Sequence, residues 1–227
     1  MARLDGSPAW VVFIRLFIGL GWLRALAEKV IEPSWWDGTE ITAFVDGYSL
    51  WTLGWYRPIV DNLVAPNTEI FAVVLVVAQL FAAVSLLSGR LLGYGLAVGI
   101  FMNLNFLVAG AVDPSVFYML SQGAIAFWLV EKAPATKWNR RGLSVVAMVA
   151  YALAMVSLPS ITTLHPARVI IDPAIMFMVI SLVAIVACEI AHRRIAGGKG
   201  LLAIDWLLRR DVTEITVDTD EEVVVIN

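Results

Sequence analysis

Cysteine is almost absent from this chain. Its 227 residues include one, Cys188, and only two histidines, His165 and His192. A lone cysteine excludes an intramolecular disulfide and any zinc or iron–sulfur centre built on thiolates. Cys188 lies in an apolar stretch, where it suits an inert core thiol. The histidines stand at opposite ends of the last connection and helix, so two axial imidazoles at one depth are not on offer and no haem is expected. Charge is scarce as well. Charged residues make up 15% of the chain, against about 25% in a soluble domain. The net charge of −3 comes without a basic patch, so nucleic acid is not an expected partner. There is no glycine-rich phosphate loop and no Ser–His–acid spacing.

What is present is hydrocarbon. The chain is 60% hydrophobic with a mean hydropathy of +0.82, well above the 45–50% or so of a soluble domain, which makes it an integral membrane protein. Apolar runs predict membrane helices over about Trp10–Val30, Ile70–Leu87, Leu91–Val112, Ser115–Val130, Leu143–Leu158 and Pro173–Ala191. The first could pass for a signal peptide, because Ala25-Leu26-Ala27 resembles a cleavage site. Arg15 and Arg24 interrupt its apolar region, so a retained membrane helix is expected. Between the first two helices, residues 32–68 carry Trp35, Trp36, Tyr48, Trp51, Trp55 and Tyr56, types that settle at a membrane–water interface. Ile41, Phe44, Val45, Tyr48, Trp51 and Trp55 recur there at helical spacing and predict an interfacial amphipathic helix. The expected fold is therefore all-α, a polytopic membrane bundle. Four of the predicted membrane helices lie within residues 1–132, two additional transmembrane helices occupy 133–195, and a cytoplasmic amphipathic segment with an acidic tail occupies 196–227. Lysine and arginine gather in the loops that face inward when both termini are cytoplasmic, leaving Arg57 and Arg168 outside.

Within the apolar helices the polar residues stand out. Arg15, Arg24, Glu28 and Lys29 lie in the first helix, where a charge at membrane depth costs roughly 2.5–3.5 kcal/mol and normally faces a bundle interior, a partner or a wet cavity. Arg15, Gly19, Trp22, Leu26 and Lys29 share one stripe. Arg24 and Glu28, four apart on another face, are spaced to pair. Gln79 is the one strongly polar residue inside the second helix, Asn103 shares a stripe with Gly95 and Gly99, Asn105 points elsewhere, and Gln122 lies in the fourth helix. These groups suit a polar headgroup among apolar walls: a quinone, a lipid headgroup or a small anion. The amides serve equally as glue between helices, worth about 0.6 kcal/mol each.

Several short motifs recur in order: Arg15-x3-Gly19 and Lys29, then Pro66-Asn67-Thr68-Glu69-Ile70-Phe71, then Leu86-Leu87-Ser88-Gly89-Arg90, then Asn103-Leu104-Asn105-Phe106 with Ala109-Gly110. Over about Trp10–Lys132 the chain thereby resembles the DoxX/DoxD membrane protein family. The resemblance implies a four-helix core and a role like that of the small subunit of a thiosulfate:quinone oxidoreductase. Candidate ligand or quinone contacts are then Arg15, Arg24, Glu28, Lys29, Glu69, Gln79, Asn103 and Asn105, with a non-covalent quinone and no haem, metal or iron–sulfur group. A cation near a quinone under reduction would stabilise developing negative charge. Relatives often carry a glutamate where this chain has Gln79, which keeps hydrogen bonding and removes a carboxylate that could move a proton. Three functions follow: a membrane subunit of a quinone-linked redox system of a prokaryotic plasma membrane; an accessory or assembly subunit of a larger respiratory membrane complex with other protein subunits as partners; and, last, a small-solute or lipid-handling membrane protein.

Overall fold

A computed structural model describes residues 6–132, 137–162 and 165–195. Every regular element among them is helical: α1 (Ala9–Ile31), α2 (Pro33–Trp36), α3 (Thr39–Tyr48), α4 (Arg57–Ile59), α5 (Thr68–Ser88), α6 (Leu92–Val108), α7 (Val112–Glu131), α8 (Lys137–Ser157), α9 (Pro166–Val169) and α10 (Pro173–Ile195). Among the described residues, four stretches are long and apolar enough to cross a membrane: Ala9–Ile31, Arg57–Ser88, Arg141–Ser160 and Pro173–Arg194. The protein is an integral membrane protein.

The predicted amphipathic segment and acidic tail at 196–227 lie outside the described residues. Each predicted long helix has a counterpart, with shifted ends. The second begins a full three turns early, because α4 runs through a wide turn at Val60–Val64 and a tight turn at Ala65–Asn67 straight into α5. Pro58 and Pro66, read from sequence as punctuation, sit in the first turns of these short pieces, where a missing N–H breaks no helical hydrogen bond. The third helix stops at Val108, four residues short. Gly110 turns the chain at φ 111°, a conformation that favours glycine, and a Cβ there would press on Trp51. The amphipathic helix ends at Tyr48 instead of reaching Trp55. The ends of α6 claim the segment that follows: Leu53 N–H donates to the Val108 carbonyl at 2.9 Å and the Thr52 hydroxyl to that of Ala109 at 3.0 Å. Tertiary hydrogen bonds therefore outbid the helical period at this point.

α1, α5, α6 and α7 form a core around Val11, Ile18, Trp22, Ala82, Ala83, Leu86, Leu96, Met102 and Ile125. Small residues set its spacing. A Cβ on Gly95 would collide with Ser85 across the α5–α6 contact, one on Gly21 with the Tyr118 hydroxyl, and one on Gly99 with the Gln122 amide. A second cluster joins Leu107, Val112 and Met119 of the core to Ala174 and Phe177 of α10, with Leu53, Tyr56 and Val60 above them. A third packs Leu143 and Ala147 of α8 on Cys188 and Ala191 of α10, against Phe127 and Val130 of α7. The pair α8–α10 thus flanks the core on its α6–α7 side, and α1 lies on the far side of it. Asp172 caps α10, its Oδ1 accepting from the N–H groups of Ala174 and Ile175 at 2.9 and 3.1 Å.

Candidate functional site

Side-chain amides lie buried in the interior of the four-helix core. Gln79 of α5, Asn103 of α6 and Gln122 of α7 are buried, as is Trp22 of α1. Asn103 Nδ2 donates to the Gly99 carbonyl at 3.0 Å and, more weakly, to Gln122 Oε1 at 3.4 Å. Register brings Gln79 to the same level. Ser85 opposes Gly95 on antiparallel helices, so Gln79, six residues back, falls opposite Phe101, about 3 Å along the axis from Asn103. Gly19 backs onto Leu86 and Leu87, so by the same register Trp22 faces about Ala83, roughly one turn, near 6 Å, from Gln79. Trp22 also stacks on Tyr118 with ring centroids 5.6 Å apart.

Three atoms of this group have no hydrogen-bond partner among the described residues: Trp22 Nε1, Gln79 Oε1 and Gln122 Nε2. Each buried polar atom without a partner costs about 1–3 kcal/mol. Three at neighbouring levels of one core make a concentrated cost. Together they offer two donors and one acceptor inside apolar walls.

The charged candidates go elsewhere. Arg15 is buried at the opposite end of α5 from its start, with Nε donating to the Leu86 carbonyl at 3.0 Å and its guanidinium lying against Gly89. It thereby satisfies a carbonyl that the helix end leaves open and meets the negative end of the helix dipole. Gly89, at φ 68°, closes that helix in the left-handed conformation and leaves the room the guanidinium fills. Arg24 Nε donates to Glu28 Oε1 at 2.9 Å on the outer surface of α1. Lys29 Nζ lies 4.8 Å from the centre of the Trp35 ring, and Trp35 Nε1 donates to the Ala72 carbonyl at 3.1 Å. That chain of contacts ties the end of α1 through α2 to α5. Glu69 is exposed in the first turn of α5, where its charge complements the dipole.

Asn105, two residues beyond Asn103, faces away from the amides. Its Oδ1 accepts from the Tyr56 hydroxyl at 2.6 Å while its Nδ2 donates to the Phe101 carbonyl at 2.7 Å. Burial pushes the Tyr56 phenol above its ordinary value. Nearby, a recess of about 220 Å³ opens between Tyr48, Trp51, Ile171 and the α6–α7 turn at Gly110–Pro114. On the surface, hydrogen bonding from the Thr39 side chain first, and then from the Thr39 N–H at 2.9 Å, holds the Asp37 carboxyl below the usual range.

The structure therefore places three of the polar residues singled out from sequence, Gln79, Asn103 and Gln122, at neighbouring levels of one core, and sets Trp22 about one turn away. It disperses Arg15, Arg24, Glu28, Lys29, Glu69 and Asn105 to helix ends and the outer surface. Trp22 and Tyr56 escaped the sequence reading because nothing in one sequence separates an aromatic that packs from one whose polar tip matters. A signal for Trp22 existed: it shares the inward stripe with Arg15 and Gly19. No group of three or more histidine, cysteine or carboxylate side chains able to hold a metal occurs among the described residues. No family model, curated protein or solved structure matches the chain.

Proposed function

We propose that this protein is a membrane subunit of a quinone-linked redox system, with the amide and indole group of the four-helix core as the seat of the quinone head. One observation supports this most: Trp22 Nε1, Gln79 Oε1 and Gln122 Nε2 lie buried without partners. Their chemistry fits the group. A quinone presents two carbonyl acceptors, which the indole N–H and the Gln122 amide N–H can approach, and a quinol hydroxyl finds an acceptor in the Gln79 carbonyl. When bound, the quinone accepts electrons and protons. What the chain contributes is position, hydrogen bonding and exclusion of water. With Gln79 in place of a carboxylate, the site holds the head without supplying a proton-moving acid. Arg15 and Lys29, engaged at Leu86 and Trp35, act as braces for α5 at its two ends. The resemblance to the DoxX/DoxD family points the same way. In this reading α6 and α7 also cross the bilayer, giving six spans in a prokaryotic plasma membrane with both termini cytoplasmic, and the electron donor is a separate protein subunit.

The test is direct extraction. Protein purified in mild detergent is expected to carry quinone at close to one per chain, and Gln122→Leu and Gln79→Leu to lose it while remaining folded. Amides acting only as glue give the reverse pattern: no quinone in the unaltered protein and lower thermal stability in both variants.

A further inference from the structure

Where α6 ends, the chain builds a small recess that the core does not use. Its walls are pinned together. Leu53 N–H donates to the Val108 carbonyl at 2.9 Å and the Thr52 hydroxyl to that of Ala109 at 3.0 Å, so the segment after α3 is tied to the α6–α7 turn. Gly110 lets that segment come close, since a Cβ on it would lie 2.8 Å from the Trp51 Cβ and 3.3 Å from the Tyr48 Cβ. The recess, about 220 Å³, is lined by both of these aromatic side chains, by Ile171 and by Asp113. Ile171 stands two residues ahead of α10, whose length is apolar enough to span a membrane. The recess therefore lies at a membrane boundary, where Trp and Tyr settle. Trp51 remains 49% exposed and Tyr48 37%. Asp113 is exposed, and its carboxylate has no hydrogen-bond or ion-pair partner among the described residues.

We infer that this recess is a binding site for an organic ammonium ion. Three features select that chemistry. The recess is smaller than the roughly 300–1,000 Å³ of sites for drug-sized ligands, so it suits a headgroup. Trp and Tyr rings attract a weakly hydrated cation through their quadrupoles, and walls of this kind recognise quaternary ammonium groups. The Asp113 carboxylate supplies the countercharge. A divalent metal is the wrong occupant, because it takes about six or more oxygen ligands, and Asp113 is the one carboxylate in the lining. An anion would be repelled by it. Arg57 does not answer that charge either: its guanidinium donates to the Ser49 carbonyl, and it is not part of the lining. Asp113 also complements the dipole of α7, whose first turn it occupies. That role needs neither aromatic wall. An ammonium head can come from two sources, a zwitterionic lipid or a free solute. The site is separate from the amides of the core and does not rest on the quinone reading.

The test titrates the full chain, purified in a maltoside detergent free of ammonium groups, with tetramethylammonium chloride, followed by calorimetry. Expected is saturable binding that sodium chloride at equal ionic strength does not give. Asp113→Asn should weaken it about tenfold or more, Asp113→Glu less, and Trp51→Leu about threefold or more. Because the Asp113 side chain has no partner in the fold, Asp113→Asn should lower the melting temperature only slightly, whether or not quinone is bound. The same titration in nanodiscs names the source. Weaker apparent binding in phosphatidylcholine discs than in discs of a neutral galactolipid assigns the site to a lipid head, and equal binding in both assigns it to a free solute. Heat that never saturates, equal binding of sodium, or an affinity unchanged in either Asp113→Asn or Trp51→Leu overturns the inference.

Discussion

Arg15 is the residue on which the α1–α5 contact turns. A guanidinium this deep is tolerable because it does three things together: it fills the space over Gly89, satisfies the Leu86 carbonyl and meets the dipole of α5. Arg15→Leu keeps the volume and loses the bond, so thermal unfolding in detergent should show a loss of about 1–3 kcal/mol. Arg15→Lys should recover part of it, as a point charge without the fork. Gly89→Ala should cost roughly 1–2 kcal/mol from the left-handed backbone alone, with the crowding of Arg15 in addition. Tyr56 makes a second prediction, in pH. Its neutral hydroxyl is the donor to Asn105, and its folded pKa is raised above the unfolded value of about 10. The stability it contributes is therefore complete below pH 10 or so and lost as pH rises through the folded value. Tyr56→Phe should cost about 0.5–1.5 kcal/mol at neutral pH, and above pH 10 its stability should fall less steeply than that of the unaltered protein, as followed by unfolding at each pH.

At the scale of elements, helix contacts rest on glycines that admit neighbouring side chains. Gly95 faces Ser85 with no room to spare, whereas Gly93, two residues away, has nothing within 4 Å of its Cβ position. Gly95→Ile should therefore separate α5 from α6 and lower the melting temperature sharply, and Gly93→Ile should leave it nearly unchanged. The sequence made this pairing legible, because Gly95, Gly99 and Asn103 stand on one stripe. It also made the six long helices legible, since an apolar run of that length has few other uses. What it concealed were decisions taken between elements. The stop of the amphipathic helix at Tyr48 depends on carbonyls of α6, sixty residues on. The early start of the second helix depends on two prolines landing in first turns. Helical spacing already sets Arg15 on the stripe of Gly19 and Trp22 and Arg24 on another face to pair with Glu28, but that Arg15 caps α5 is legible only once the partner helix is in place. Polar residues in a membrane helix announce that something must satisfy them, and only packing says what.

For the whole molecule, the described helices place a four-helix core between a flanking pair, α8 and α10, and a bare face of α1. The proposed six-span topology predicts that, in a chain with Cys188→Ala, single cysteines at Arg57 and Arg168 react with a membrane-impermeant thiol reagent from outside intact cells, and one at Arg90 does not. Protection of the one at Arg168 together with the one at Arg90 would remove α6 or α7 from the list of spans. The central claim concerns the amides, and the most direct measurement is a binding titration. A short-chain, water-soluble quinone is added to the detergent-purified protein and the melting temperature is followed, for the unaltered chain and for Gln122→Leu. The account predicts a saturable rise in melting temperature for the unaltered protein, and none for Gln122→Leu, whose own melting temperature is equal or higher because the unpartnered Nε2 is removed while Asn103 Nδ2 keeps the Gly99 carbonyl. A rise of the same size in both, or in neither, would contradict it.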